Sequence, residues 1–169
     1  MQQNVPDFTA LLRSAKRSAV HLEMRDSYME DPVFAAWREG REVDLPQEYR
    51  QWQALVKETV ARGVSLRRAR IVSEPATDYI RWEHALTTPH NIACGENVRW
   101  LPRRVASDLC LPGNDLWLID EERILFHWFT GDGEWAGHEF NEEPDTVKMV
   151  TTAFEAVWDR AIPHEQYTV

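Results

Sequence analysis

Asp115-Leu116-Trp117-Leu118-Ile119-Asp120-Glu121-Glu122-Arg123-Ile124-Leu125-Phe126-His127-Trp128-Phe129-Thr130-Gly131-Asp132-Gly133-Glu134-Trp135-Ala136-Gly137-His138-Glu139-Phe140 holds three apolar runs and two short connections. Strands are expected over 115–119, 123–130 and 134–140. A parallel return needs a crossover of a dozen or more residues, and neither Asp120-Glu121-Glu122 nor Gly131-Asp132-Gly133 supplies one. This part of the sheet must therefore be antiparallel. Gly131-Asp132-Gly133 suits a tight hairpin, because glycine tolerates positive φ. Ile124, Phe126 and Trp128 alternate with Leu125, His127 and Phe129, which predicts a strand buried on both faces.

After this meander comes the clearest helix. Pro144 suits a first helical turn, and Glu142, Glu143 and Asp145 suit its positive end. Val147, Val150, Phe154, Val157 and Ala161 make one apolar stripe, and Pro163 stops it. Upstream, Asp7 can cap a helix over 8–15, and residues 17–24 alternate like a half-buried strand. Asp31-Pro32 opens a short helix closed by Gly40. Tyr49, Trp52, Val56 and Val60 recur at helical spacing from Gln47 to Gly63. A strand over 65–73, a helix over 77–87 and a strand over 97–101 follow. These elements predict a single compact α/β (α+β) domain, with a mixed, partly antiparallel sheet covered by helices. Residues 1–46 read as an N-terminal helix-strand-helix segment packed on the core, 47–163 as the main domain and 164–169 as a tail.

Composition narrows the function classes. At 169 residues, the chain can bury roughly 70% of the surface its unfolded form exposes, enough for a real core. Its 28 acidic against 19 basic residues leave a net charge of −9. That disfavours direct nucleic-acid binding, whose affinity comes from neutralising phosphates. Cys94 and Cys110 show no paired spacing, so two reduced thiols are expected. No apolar run approaches the ~20 residues of a membrane span. Gln2, Gln3, Asn4 and Asp7 do not resemble the apolar core of a signal peptide, so a cytoplasmic protein is expected.

The densest charge lies at a strand-to-helix junction, Arg70-Ile71-Val72-Ser73-Glu74-Pro75-Ala76-Thr77-Asp78-Tyr79-Ile80-Arg81-Trp82-Glu83. A strand's C-terminal edge is where α/β folds tend to bind ligands. The candidate binding residues are Arg70, Glu74, Asp78, Tyr79, Arg81, Glu83, Glu96, Arg99 and Trp100. The arginines offer forked donors to a small anionic ligand, and Tyr79 or Trp100 a stacking wall. The same charges could equally form a framework network that fixes the loop. Trp100, Trp117 and Trp135 adjoin turns and charges, and an exposed cluster of them would mark a partner surface. Glu74 with Glu83, or Glu96 with Asp120, could act as acid and base if held about 5 to 9 Å apart. No catalytic residue stands out: no serine has the flanking glycines of a nucleophile elbow, and the cysteines and histidines lack metal-site spacing. No cofactor is expected.

Arg17-Ser18-Ala19, Leu22-Glu23, Tyr28, the Arg70–Glu83 junction, Gly95-Glu96, Arg99, Leu111-Pro112, Asp115 to Asp120 and Ala161-Ile162-Pro163 together resemble an actinobacterial domain family of unknown function. Its genes are often found beside Xre-type helix-turn-helix regulators. The second half is also similar to degenerate phospholipase-D-like sensor domains, which implies that fold. True members of that superfamily carry His, one residue, then Lys. None of His21, His84, His90, His127, His138 and His164 has a Lys two places on. The resemblance implies a regulatory setting; the expected function is a non-enzymatic regulatory accessory protein that binds a helix-turn-helix DNA-binding partner, and the acidic balance suits a basic partner. The alternative is a hydrolase of phosphodiester or glycosidic bonds working through carboxylates and arginines of residues 70–99.

Overall fold

Capping side chains at Asp7, Asp31 and Thr77 set three helix starts where the sequence places them. The computed structural model describes residues 5–169. Gln2, Gln3 and Asn4 of the leader reading lie outside them. Asp7 accepts the Ala10 N–H at 3.0 Å and opens α1 (Phe8–Ser14), which leads into β1 (Ser18–Glu23). Asp31 accepts from Val33 and opens α2 (Pro32–Arg38), with Pro32 in the first turn. Next come α3 (Leu45–Glu48) and α4 (Arg50–Ala61), then β2 (Ser65–Val72). Thr77 caps α5 (Asp78–His90), and β3 (Asn97–Pro102) follows. The meander is β4 (Leu116–Ile119), β5 (Arg123–Phe129) and β6 (Trp135–Asn141), before α6 (Pro144–Arg160) and β7 (Ile162–Pro163).

Among the described residues, seven strands form one mixed sheet in the order β6-β5-β4-β1-β2-β3-β7. β1, β2 and β3 run parallel, and the β4-β5-β6 meander is antiparallel as its short links require. The first 46 residues do more than pack on a core, since β1 is the middle strand, between β4 and β2. That position buries β1 on both faces instead of the half-burial expected from its alternation. The C-terminal residues 164–169 also reach the core. His164 and Tyr167 are buried, and Tyr167 stacks on Trp100.

Side-chain alternation gives the sheet two unlike faces. Val20, Leu22, Ala69, Ile71, Leu116, Leu118 and Ile124 pack against Val150, Phe154 and Val157 of α6. Ala19, Leu66, Trp117, Ile119 and Leu125 pack the other way, against α1 and α4. Trp128 stands 40% exposed, so β5 is not buried along its whole length. The helix expected from Gln47 breaks at Tyr49, and α5 runs on through Pro89 to His90. β3 includes Pro102, and β7 pairs with β3 as an edge strand, a position proline tolerates. Both thiols are free, with Cys94 buried and Cys110 exposed.

Candidate functional site

On the sheet face toward α4 and α5, the parity that buries Ala19 and Leu66 also places His21, Glu23, Arg68 and Arg70 in neighbouring registers. His21 lies opposite Arg68 and Glu23 opposite Arg70. Trp117 sits beside His21 on the other flank, rings stacked at 4.3 Å. These side chains form the floor of a cavity of about 540 Å³ near the C-terminal ends of the parallel strands. Trp52 of α4, Tyr79, Trp82 and Glu83 of α5, Tyr28 of the β1–α2 loop, and Phe129 and Trp135 of the hairpin wall it.

The floor is held by charge-assisted bonds. Arg70 Nε donates to Glu23 at 2.6 Å and its Nη1 to Thr87 Oγ1 at 2.7 Å. Arg68 donates to the other Glu23 oxygen, and through Nε to Glu96 at 2.5 Å. Asn91 Nδ2 donates to the second Glu96 oxygen at 2.7 Å. Tyr28 donates to Asp115, which also accepts the Met24 N–H at 2.9 Å. The rings form a nearly continuous belt. Tyr79 meets Trp82 at 5.1 Å and Tyr28 at 5.8 Å, and Tyr28 meets Phe129 at 5.2 Å.

Burial and neighbours separate the acids. Burial pushes Glu23 up, but the Arg70 and Arg68 guanidiniums outweigh it and hold its carboxyl below the usual range. Burial likewise raises Glu83, and with Arg70 3.7 Å away and Glu23 repelling it the group reaches about 7. Burial lifts Asp115 to about 6. It also lowers His127 and His90 to about 4 and His21 well below its ordinary value, so all three imidazoles are neutral near pH 7. His127 Nε2 and Glu83 Oε2 are buried without a hydrogen-bond partner, as is His21 Nδ1, whose nearest carboxylate oxygen is Glu23 Oε1 at 3.4 Å. Among the described residues, no three His, Cys, Asp or Glu converge as a metal site.

Of the candidates read from the sequence, Arg70, Tyr79 and Glu83 meet in this cavity, with Glu96 one bond behind Arg68. The others lie elsewhere. Glu74 is exposed and accepts from Arg104 and the Tyr167 hydroxyl. Asp78 and Arg81 are exposed on α5, and among the described residues no ion pair joins them. Arg99 points to the other face, donating to the Trp158 carbonyl at 2.9 Å. Trp100 is fully buried, its Nε1 donating to His164 at 3.0 Å, with the Arg70 guanidinium over its ring. Trp117 is buried too, so the tryptophans near the turns form no exposed cluster. Sequence reasoning missed His21, Glu23, Arg68, Asp115 and His127. A signal existed: His21 with Glu23, and Arg68 with Arg70, put polar groups at the same parity on two neighbouring strands.

Neither carboxylate pair meets. Glu83 lines the cavity while Glu74 turns to Arg104. Glu96 holds Arg68, whereas Asp120 accepts the backbone N–H groups of Lys16, Arg17 and Ser18 at the opposite end of β1.

No curated protein matches the chain. Among solved structures, it is similar to the Salmonella typhimurium phospholipase D family member Nuc, with a TM-score of 0.51 and 13% identity, covering 92% of this chain and 86% of that one. It is also similar to TrmBL2, an archaeal chromatin protein, with a TM-score of 0.50 and 13% identity. That match covers 91% of this chain but 48% of TrmBL2, so the chain spans about half of that protein's length. Such identities carry the fold alone, a phospholipase-D-like mixed sheet. A family profile matches residues 6–169, nearly the whole chain, and the protein belongs to the family described as a domain of unknown function (DUF6879).

Proposed function

We propose that this protein is a small-molecule-binding regulatory domain that acts without turnover. The observation that carries this reading is the cavity. At about 540 Å³ it lies within the ordinary range for ligand sites, about 300–1,000 Å³, with aromatic walls and a few fixed polar groups. Its buried His21, His127 and Glu83 atoms without hydrogen-bond partners are the groups a ligand would satisfy. The expected regulatory setting fits this reading: an actinobacterial, cytoplasmic protein whose occupancy is read by a helix-turn-helix partner, with the acidic surface suiting a basic one. The sequence suggests a small anion. The geometry is less favourable to one, because Arg68 and Arg70 are each already engaged at two nitrogens.

A thermal-shift screen of a chemically diverse fragment set, followed by calorimetry, tests this. One-to-one saturable binding that quenches tryptophan emission is expected, since Trp52, Trp82 and Trp117 line the cavity. A set with no saturable binder would end this reading. Hydrolysis of a phosphodiester or glycoside that depends on Glu83 would favour the hydrolase instead. Co-purification from the native host tests the partner, and recovery of no DNA-binding protein would remove that half of the proposal.

A further inference from the structure

The charges facing the cavity do not balance. Arg68 and Arg70 are its cations. Against them stand Glu23, Glu83 and Asp115 on its lining and Glu96 behind Arg68, while His21, His90 and His127 stay neutral. Asp31 and Glu30 add carboxylates at the lining near α2. Glu83 is where the imbalance is felt. It is 8% exposed, its Oε2 has no hydrogen-bond partner, and Arg70 Nε stays 3.7 Å away. The rings of Tyr28, Tyr79 and Trp82 line the same space, and aromatic faces attract cations.

We infer that the cavity takes a small organic monocation, its charged nitrogen on Glu83 Oε2 and its apolar body between Tyr28, Tyr79 and Trp82. This rests on the ligand-binding reading above and names the chemistry of the ligand. An ammonium, amidinium or protonated heterocycle supplies both the donor that Oε2 lacks and the positive charge that the site lacks. A carboxylate or phosphate supplies neither.

Binding is then coupled to the protonation of Glu83. The groups facing it are Arg70 and Arg68 of β2, Glu23 of β1, Asp115 ahead of β4, Tyr79 of its own helix, and Tyr28 and Tyr49 across the cavity. Burial lifts Glu83 to about 7, and a cation binds its ionised form. Affinity therefore climbs as pH rises through about 7 and levels above it, with a smaller earlier rise from Asp115 near about 6.

Benzamidine, benzamide and benzoate are flat probes of nearly one size carrying positive, neutral and negative charge. They can be titrated into the full chain by tryptophan fluorescence and calorimetry from about pH 6 to about pH 8. Benzamidine is expected to bind at least about tenfold tighter than benzamide, and about tenfold tighter at the upper pH than at the lower. Benzoate should show no saturation. Glu83→Gln, checked for native near-ultraviolet circular dichroism, should weaken benzamidine at least about tenfold and erase the step near about pH 7. Equal or tighter binding of benzamide or benzoate, or a Glu83→Gln protein that binds benzamidine as before, overturns the cation. So does failure of benzamidine while neutral fragments of the screen bind, and in each of these cases the ligand-binding reading stands. No saturable binding by any probe or fragment sinks both.

Discussion

Glu83 and Glu23 share Arg70 yet are driven apart. Glu23 receives both guanidiniums at hydrogen-bond distance, whereas Glu83 has only the long contact and the repulsion of Glu23. A carboxyl whose folded pKa is raised favours the folded state while neutral, so that stability is full below its unfolded value of 4.5 and is lost as pH rises through about 7. The lowered histidines work in the other direction. Stability from His21, His90 and His127 is present above their unfolded value of 6.5 and is lost as pH falls. The whole-protein pH profile therefore mixes opposite slopes, and the difference between Glu83→Gln and wild type isolates one of them. In urea titrations that difference should grow in favour of the variant by roughly 2–4 kcal/mol between about pH 4.5 and 7, then stay flat. A difference independent of pH would mean that Glu83 is an ordinary carboxylate, not a strained one.

The β4–β5 hairpin turns through Asp120 and Glu121, both with positive φ, a backbone that favours glycine. The reason for an aspartate is its carboxylate. It accepts three consecutive backbone N–H groups, from Lys16, Arg17 and Ser18, and so ties the meander to the α1–β1 link. Burial acts against the charge, but these bonds hold Asp120 below the usual carboxylate range. Asp120→Ala should cost about 2–4 kcal/mol, and Asp120→Asn, which tolerates the same backbone, about 1–2. The Asn deficit should vanish as pH falls through the folded pKa, which lies below the unfolded value of 3.8, where wild type loses the same charge; a deficit unchanged in acid would discount the carboxylate. What the sequence disclosed follows from how local each cause is. Gly131-Asp132-Gly133, Asp7, Asp31 and Pro144 act through their own neighbours, so the hairpin and helix starts were legible. The break at Tyr49 and the run of α5 through Pro89 depend on packing and were not. Arg70, Tyr79 and Glu83 could be nominated because junction charge is visible along the chain. Asp78 and Arg81 could not be discarded, because the face of α5 that meets the sheet is a tertiary fact. The shared parity of His21 and Glu23 is visible in the sequence, but their partners are not: only the pairing of β1 with β2 and β4 puts them beside Arg68, Arg70 and Trp117.

The sheet divides the molecule into two interiors of different character. The α6 side is apolar at its centre, filled by Leu22, Ile71, Leu116, Val150 and Phe154, with Arg67 and Arg99 paired to Glu155 and the Trp158 carbonyl along the helix. The α4–α5 side carries the ion network and the cavity on the same strands. This division lets one side fix the register, since a slip by one position would carry Glu23 and Arg70 into the apolar layer. The other side is thereby free to hold groups that a core alone would exclude. Phe154, 1% exposed and stacked on Trp158, tests whether the sheet insulates the two. Phe154→Leu should lower stability by about 1–2 kcal/mol through the lost ring contacts. Layers packed on a sheet lie about 10 Å apart, so this loss should add to that of Glu83→Gln within about 0.5 kcal/mol at every pH. The pH-dependent gap assigned to Glu83 should survive in the Phe154→Leu background. A coupling well beyond that margin, measured by a double-mutant cycle in urea, would show that strain on the α6 layer reaches the ion network and that the two interiors are one.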